Sequence, residues 1–200
     1  MSSLNENLSK LESIKFSGFT DNSNFVESNF IFISFAENLN DALRFSRDAI
    51  NRGAILVISQ VNLGQELKEK NIYDSNLLNH KDKYLKALFN RSEKDIKVVG
   101  ITGTNGKSST AFYLHQLLSF TDSNATLLTN MPKISDLENS ELSPLTTPDK
   151  FLLHYYLKKS IDLEREYFLM EVSSHAIDQG RICGLNFIAK SLTNFSQDHL

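Results

Sequence analysis

The chain is poor in cysteine, poor in proline and free of long apolar runs, and each shortage excludes something. Its 200 residues include one cysteine, Cys183. A single thiol builds neither an intrachain disulfide framework nor a cysteine metal cluster. Its expected role is that of a small buried hydrophobe. No apolar stretch reaches the roughly 18 residues that a membrane span needs, so membrane insertion is not expected. The formal charge of −3 supplies no basic field for nucleic acid. The first ten residues are polar and include Glu6, which does not suit a secretory signal. The cytoplasm is the expected compartment. All three prolines fall between residues 121 and 148. No internal repeat or low-complexity segment is visible.

What is present suits a packed globular chain. Hydrophobic residues make up 40% and charged residues 22%, enough for one large domain or two small ones. Residues 29–35 and 54–58 are β-branched or aromatic runs and read as buried strands. Between them, residues 40–52 read as a helix with Leu43, Ala49 and Ile50 on one face, stopped by Gly53. A second helix is expected over 79–95, with Tyr84, Leu85, Leu88 and Phe89 as its apolar stripe. A domain boundary is placed near residue 92, giving domains of 1–91 and 92–200. Beyond it, 96–101, 167–172 and 187–194 read as strands and 149–160 as a helix. Residues 121–148 read as a loop-rich stretch. This alternation of strands and helices predicts an α/β fold with mainly parallel sheets.

The most informative segment is Gly100-Ile-Thr-Gly-Thr-Asn-Gly-Lys-Ser-Ser-Thr110. It follows the apolar run 96–99 and precedes Leu114, Leu117 and Leu118 at helical spacing. A strand, a glycine-bracketed turn and a helix start form a phosphate-binding loop. Gly103 and Gly106 let the backbone bend and aim N–H groups at an anion, with Thr104, Asn105 and Ser109 beside them. Lys107 supplies a point charge for the β- and γ-phosphates, and the Ser108 hydroxyl can ligate Mg²⁺. Ile101 stands where the common pattern carries glycine. The expected ligand is a nucleoside triphosphate.

In parallel sheets, ligands sit at the carboxyl ends of strands. Three polar clusters fall at such ends: 102–108, 171–175 and 193–199. Their shared placement predicts a shared cleft. Glu171 closes an otherwise apolar strand. It reads either as a Mg²⁺ ligand facing Ser108 or as a strand-end acid in water. Ser173-Ser174-His175 is a poor nucleophilic triad, since neighbours in sequence rarely face each other and no nucleophile elbow is present. Polar ligand binding fits it better. Arg181 suits a carboxylate or phosphate, or a solvated turn. Thr146-Thr147-Pro148-Asp149 reads as a helix start with a Thr cap and Pro in the first turn, and as an anion site. Asp198-His199 reads as a metal ligand or as a hydrogen-bonded surface pair.

Taken in order, the loop 100–110, Thr146-Thr147-Pro148, Glu171-Val-Ser-Ser-His-Ala-Ile-Asp-Gln-Gly-Arg181 and Thr193-Asn-Phe-Ser-Gln-Asp-His-Leu200 resemble the Mur ligase family. The Glu-Val-Ser-Ser-His-Ala segment with its Gln and Arg resembles the branch that adds the third amino acid. The resemblance is strong over 96–200 and weaker over 16–60. It implies a small N-terminal UDP-binding domain and a central, P-loop-type ATPase domain that is incomplete here. It implies ATP and Mg²⁺ as cofactors and UDP-N-acetylmuramoyl-L-alanyl-D-glutamate and a diamino acid, diaminopimelate or lysine, as substrates. An acyl phosphate would be the intermediate, and the setting would be peptidoglycan precursor synthesis. By the same resemblance, Ser108, Glu171 and His199 would hold the metal, with Lys107 on the phosphates. Thr146, Thr147, Ser173, Gln179 and Arg181 would contact the muramoyl peptide, and Asn22 and Ser23 would lie near the uridine. Asp21-Asn22-Ser23 departs from the family's usual Asp-Ser-Arg, and Leu145 stands where relatives often carry a polar residue. Relatives continue past the Asp-His-Leu motif, so this chain is expected to be an N-terminal part that cannot complete ligation alone. The alternatives are a folylpolyglutamate-synthase-like ligase and a non-catalytic nucleotide or UDP-sugar binding module.

Overall fold

The computed structural model describes residues 4–92, 96–129 and 145–196. The chain divides into two compact units, Met1–Ser92 and Glu93–Leu200. Asp198 and His199 lie outside the described residues.

Unit 1 runs α1 (Leu4–Ser13), β1 (Gly18–Thr20), β2 (Phe30–Ser34), α2 (Leu39–Arg52), β3 (Ala54–Ser59), β4 (Asn71–Tyr73) and α3 (Leu77–Ser92). Its sheet has the order β1-β2-β3-β4, and every pair is parallel. All five residues of β2 are buried, as expected of a parallel strand covered on both faces. On one face Phe30, Phe32 and Val57 pack with Ala42 and Ala49 of α2, and Leu43 and Ile50 close the edge. Elsewhere in the unit, Phe19 and Phe89 meet edge to face at 5.0 Å. Asn38 caps α2, its side chain accepting from the Asp41 N–H at 2.9 Å. Gly53 ends the helix at φ +117, and a Cβ there would stand 2.9 Å from the Ser28 Cα.

Three elements of unit 1, α1, β1 and β4, escape a reading of apolar periodicity. Helix α1 buries only Asn7 and Leu11. Its anchor is a polar network: Asn7 Nδ2 donates to the Tyr84 hydroxyl (3.0 Å), which donates to Asp74 Oδ2 (3.0 Å). His80 Nδ1 meets the same oxygen at 2.8 Å. Burial pushes the Asp74 carboxyl up, but the bonds from His80, the Asn76 N–H and Tyr84 outweigh it, so the carboxyl lies below its usual range. Strands β1 and β4 have three residues each and leave too short a pattern to read.

Unit 2 runs β5 (Lys97–Thr102), α4 (Lys107–Ser119), β6 (Ala125–Leu128), α5 (Lys150–Asp162), β7 (Tyr167–Glu171), α6 (Ser174–Asp178) and β8 (Phe187–Leu192). The sheet order is β6-β7-β5-β8, again wholly parallel. Strand β6 lies within the stretch read as loop-rich; its four residues are too few to carry a periodic signal, yet all four are buried. Ala111 is the buried residue of α4, with Phe112, Leu114 and Leu118 packed beside it. Leu117 instead faces solvent, 62% exposed. Cys183 is also exposed, contrary to the buried role expected of it.

The start of α5 differs from the expected Thr cap. Asp149 is the cap, accepting from the N–H groups of Phe151 (2.9 Å) and Leu152 (3.1 Å), and Pro148 precedes it. The carboxylate occupies these donors, so this helix start is not an anion site. His154 of α5 is buried, and burial, with Lys158 adding to it, lowers its pKa to about 3. An unfolded His titrates near about 6.5. The folded value is depressed, so the stabilisation is complete above about pH 6.5 and is lost as pH falls toward 3. Between pH 8 and pH 5, the stability of the wild-type chain relative to His154→Leu is expected to fall by about 2 kcal/mol. Hydrogen exchange of α5 amides at the two pH values measures this for unit 2 alone. A pH-independent difference would refute it.

Candidate functional site

Strand β5 lies between β7 and β8, so the chain segments leaving these three strands are neighbours. The register pairs Ile101 with Glu171 and Thr102 with Leu192. Parts of the three clusters 102–108, 171–175 and 193–199 line one pocket of about 780 Å³, namely residues 102–104 and 107, 173–175, and 195–196, whereas Ser108 and Glu171 are not among its lining residues. Lys107 and Arg181 line it, and among the described residues no Asp or Glu does. Such a pocket favours an anion. Leu145, Ile177, Leu192 and Phe195 give it an apolar wall.

The loop itself is built by two left-handed glycines. Gly103 has φ +137 and Gly106 has φ +81. Gly106 is the N-cap of α4 and has no side chain to satisfy the helix's first N–H groups. The donors of Lys107, Ser108 and Ser109 thus stand at the positive end of the helix dipole without a side-chain cap. Lys107 Nζ folds over the loop, donating to the carbonyls of Gly103 (2.7 Å) and Thr104 (3.0 Å).

Glu171 is 1% exposed, which excludes the reading of a strand-end acid in water. Thr129 Oγ1 donates to its Oε1. Among the described residues, no Lys or Arg is paired with it. Its carboxylate and the half-buried Ser108 hydroxyl are hard oxygen donors of the kind Mg²⁺ takes, with waters and phosphates completing the shell. A buried carboxylate without a cation is costly, so the donor set fits a divalent ion.

The remaining candidates divide. Thr146, Ser173 and Arg181 line the pocket. Thr147 is fully buried. Its hydroxyl donates to the Glu171 carbonyl (2.9 Å) and accepts from the Ser173 N–H (2.9 Å), tying the end of β7 to the start of α5. Arg181 reaches the Thr147 carbonyl at 2.8 Å and holds Gln179 Oε1 with Nε and Nη2. Gln179 thereby orients Arg181 rather than lining the pocket. Asn22 and Ser23 stand in unit 1, after β1. Asn22 accepts from the Asn24 N–H at 3.0 Å, and Ser23 hydrogen-bonds Asp48, the main cause holding that carboxyl below its usual range.

One contributor and the contacts of two others are not legible in the sequence. Thr129, which touches Glu171, lies in the stretch read as loop and carries no motif. Thr193 and Asn194 were visible as part of a strand-end cluster, but their contact with the phosphate loop was not. Thr193 Oγ1 donates to the Asn105 carbonyl at 2.6 Å, and Asn194 Nδ2 does so at 2.9 Å.

Residues 101–200 match the family model described as the Mur ligase middle domain. The chain belongs to the Mur ligase family. A relative from Helicobacter pylori, named UDP-N-acetylmuramoyl-L-alanyl-D-glutamate--2,6-diaminopimelate ligase, is 48% identical over 105 residues, covering 52% of this chain and 24% of that protein. The Fusobacterium nucleatum protein of the same name is 30% identical over 190 residues, covering 93% of this chain and 38% of that one. A solved structure of a ligase so named superposes with a TM-score of 0.58 at 25% identity, over 92% of this chain and 37% of that chain. The fold is also that of MurF from Acinetobacter baumannii, with a TM-score of 0.55 at 18% identity over 91% and 36% of the two chains. This Mur ligase chain thus spans about a quarter to two fifths of the length of these relatives. Among the described residues, no helix is long and apolar enough to cross a membrane.

Proposed function

We propose that this chain holds ATP and the acceptor peptide for an ATP-dependent ligase that adds a diamino acid, diaminopimelate or lysine, to UDP-N-acetylmuramoyl-L-alanyl-D-glutamate. The observation that carries the reading is the uncapped α4 start, with Lys107 folded over its loop, opening on a pocket whose described lining residues include Lys107 and Arg181 and no Asp or Glu, while Glu171 is buried at the end of β7. The names of the relatives support the choice of acceptor and amine. Unit 1, through Asn22 and Ser23, takes the uridine end. Thr146, Ser173 and Arg181 face the peptide end, with Thr147 and Gln179 fixing their positions. The cytoplasm is the proposed setting.

In this reading the terminal carboxylate oxygen attacks the γ-phosphorus of ATP, and the bond to ADP breaks. The incoming amine then adds to the acyl carbon of the acyl phosphate. The tetrahedral intermediate collapses to the amide, releasing inorganic phosphate and a proton. Phosphoryl transfer needs alignment and charge neutralisation above all. The N–H groups of Lys107 to Ser109 hold phosphate oxygens, and the Lys107 ammonium neutralises charge near the transferred group. Ser108 and Glu171 would hold Mg²⁺, with His199 as a further ligand. When bound, the ion would offset the charge of the triphosphate.

Titration of the chain by calorimetry with ATP, with UDP-N-acetylmuramoyl-L-alanyl-D-glutamate and with a folate tests the reading, followed by a turnover assay. Saturable binding of the first two and none of the folate is expected. Folate binding in place of the UDP-sugar peptide would overturn the substrate assignment, and absence of ATP binding would overturn the site.

A further inference from the structure

We infer that the segment Thr193–Ser196, following β8, is a clamp that sets the shape of the phosphate loop, with Asn194 as its positioning residue. The inference rests on the reading of that loop as a triphosphate site. The Asn194 side-chain amide pairs with both halves of one residue's backbone. The Asn105 N–H donates to Asn194 Oδ1 at 3.0 Å, and Asn194 Nδ2 donates to the Asn105 carbonyl at 2.9 Å. Turning that amide over would set donor against donor and acceptor against acceptor, so one orientation is fixed. Thr193 Oγ1 donates to the same carbonyl at 2.6 Å. The Thr104 N–H donates to the Asn194 carbonyl at 3.2 Å. The Thr104 hydroxyl and the backbone of Ser196 exchange bonds of 2.9 and 3.0 Å.

These bonds join residues about ninety positions apart in sequence. They are possible because β5 and β8 are neighbours with Thr102 opposite Leu192. The approach is close enough to require glycine at 103. A Cβ there would overlap Thr193 Oγ1 and lie 2.9 Å from the Asn194 carbonyl oxygen. The consequence is chemical. The N–H groups of Thr104 and Asn105 are spent on the clamp, so the anion is left to the donors that begin α4. Asn194 decides which amides of the loop face the ligand without touching it.

Two measurements test this on the full chain. Without nucleotide, the amide hydrogens of Thr104 and Asn105 are expected to exchange slowly; fast exchange of both overturns the clamp whatever the variants do. In ATP titrations, Asn194→Ala and Thr193→Val are each expected to weaken binding about tenfold, with Thr193→Ser restoring it. Wild-type affinity in the folded Asn194→Ala and Thr193→Val chains overturns the positioning role. A wild-type chain that binds no ATP defeats the reading of the site instead, and the exchange experiment still decides the clamp.

Discussion

Replacing Lys107 with methionine is expected to weaken ATP binding by about a hundredfold while leaving the melting temperature of the chain within a few degrees of wild type. The two effects separate because the side chain has two roles of unequal size. In the structure its ammonium bridges the carbonyls of Gly103 and Thr104. Losing those bonds costs little stability, since the group is only half-buried and water replaces it. Methionine keeps most of the apolar stem, so packing survives. Binding is different. Among the described residues, Lys107 and Arg181 are the lysine and arginine that line the pocket, and Arg181 already holds Gln179 and the Thr147 carbonyl. Lys107 is the cation that sits on the loop itself. Arginine is expected not to rescue it. Its planar fork needs more room than a turn between two left-handed glycines leaves, and it cannot present a compact charge. Calorimetric titration of Lys107→Met and Lys107→Arg measures both effects. Wild-type affinity in either variant would remove Lys107 from the site.

Much of this architecture is legible in the sequence, and the rest is hidden for physical reasons. Strands β2, β3, β5 and β7 announce themselves because a parallel strand buried on both faces must be a continuous apolar run. The glycine stop of α2 and the phosphate loop are legible because positive φ leaves few alternatives to glycine. Helix α1 is not legible because a polar anchor, Asn7 on Tyr84, replaces the apolar stripe. Strand β6 is too short to show a period. Among the candidate residues, Lys107, Ser173 and Arg181 are legible by type and spacing, and all three line the pocket. The roles of Thr147 and Gln179 are not, because both act through a neighbour: Thr147 on the Glu171 carbonyl and Gln179 on the Arg181 guanidinium. Such second partners depend on which strand ends are adjacent. Here the order β6-β7-β5-β8, which no local pattern encodes, makes that choice.

Glu171→Gln is the substitution for which stability and binding are expected to move in opposite directions. The wild-type carboxylate is buried at the end of β7, hydrogen-bonded by Thr129, with no Lys or Arg paired to it among the described residues. Desolvating an unpaired charge is unfavourable. Glutamine keeps the shape and still accepts from Thr129, so the neutral variant is expected to melt at or above the wild-type temperature when no divalent ion is added. The same change removes the only carboxylate that this site offers a cation among its described candidate residues. Adding Mg²⁺ is expected to raise the ATP affinity of the wild-type chain by about tenfold or more and to leave that of Glu171→Gln unchanged. Titrations with and without Mg²⁺, beside thermal melts in chelator, read both quantities on the same samples. A purely structural acid would behave otherwise: its loss would lower the melting temperature and leave the Mg²⁺ dependence intact. That pattern would remove the metal from the proposed mechanism, whereas a stable variant blind to Mg²⁺ ties the buried charge at the end of β7 to the triphosphate loop at the end of β5.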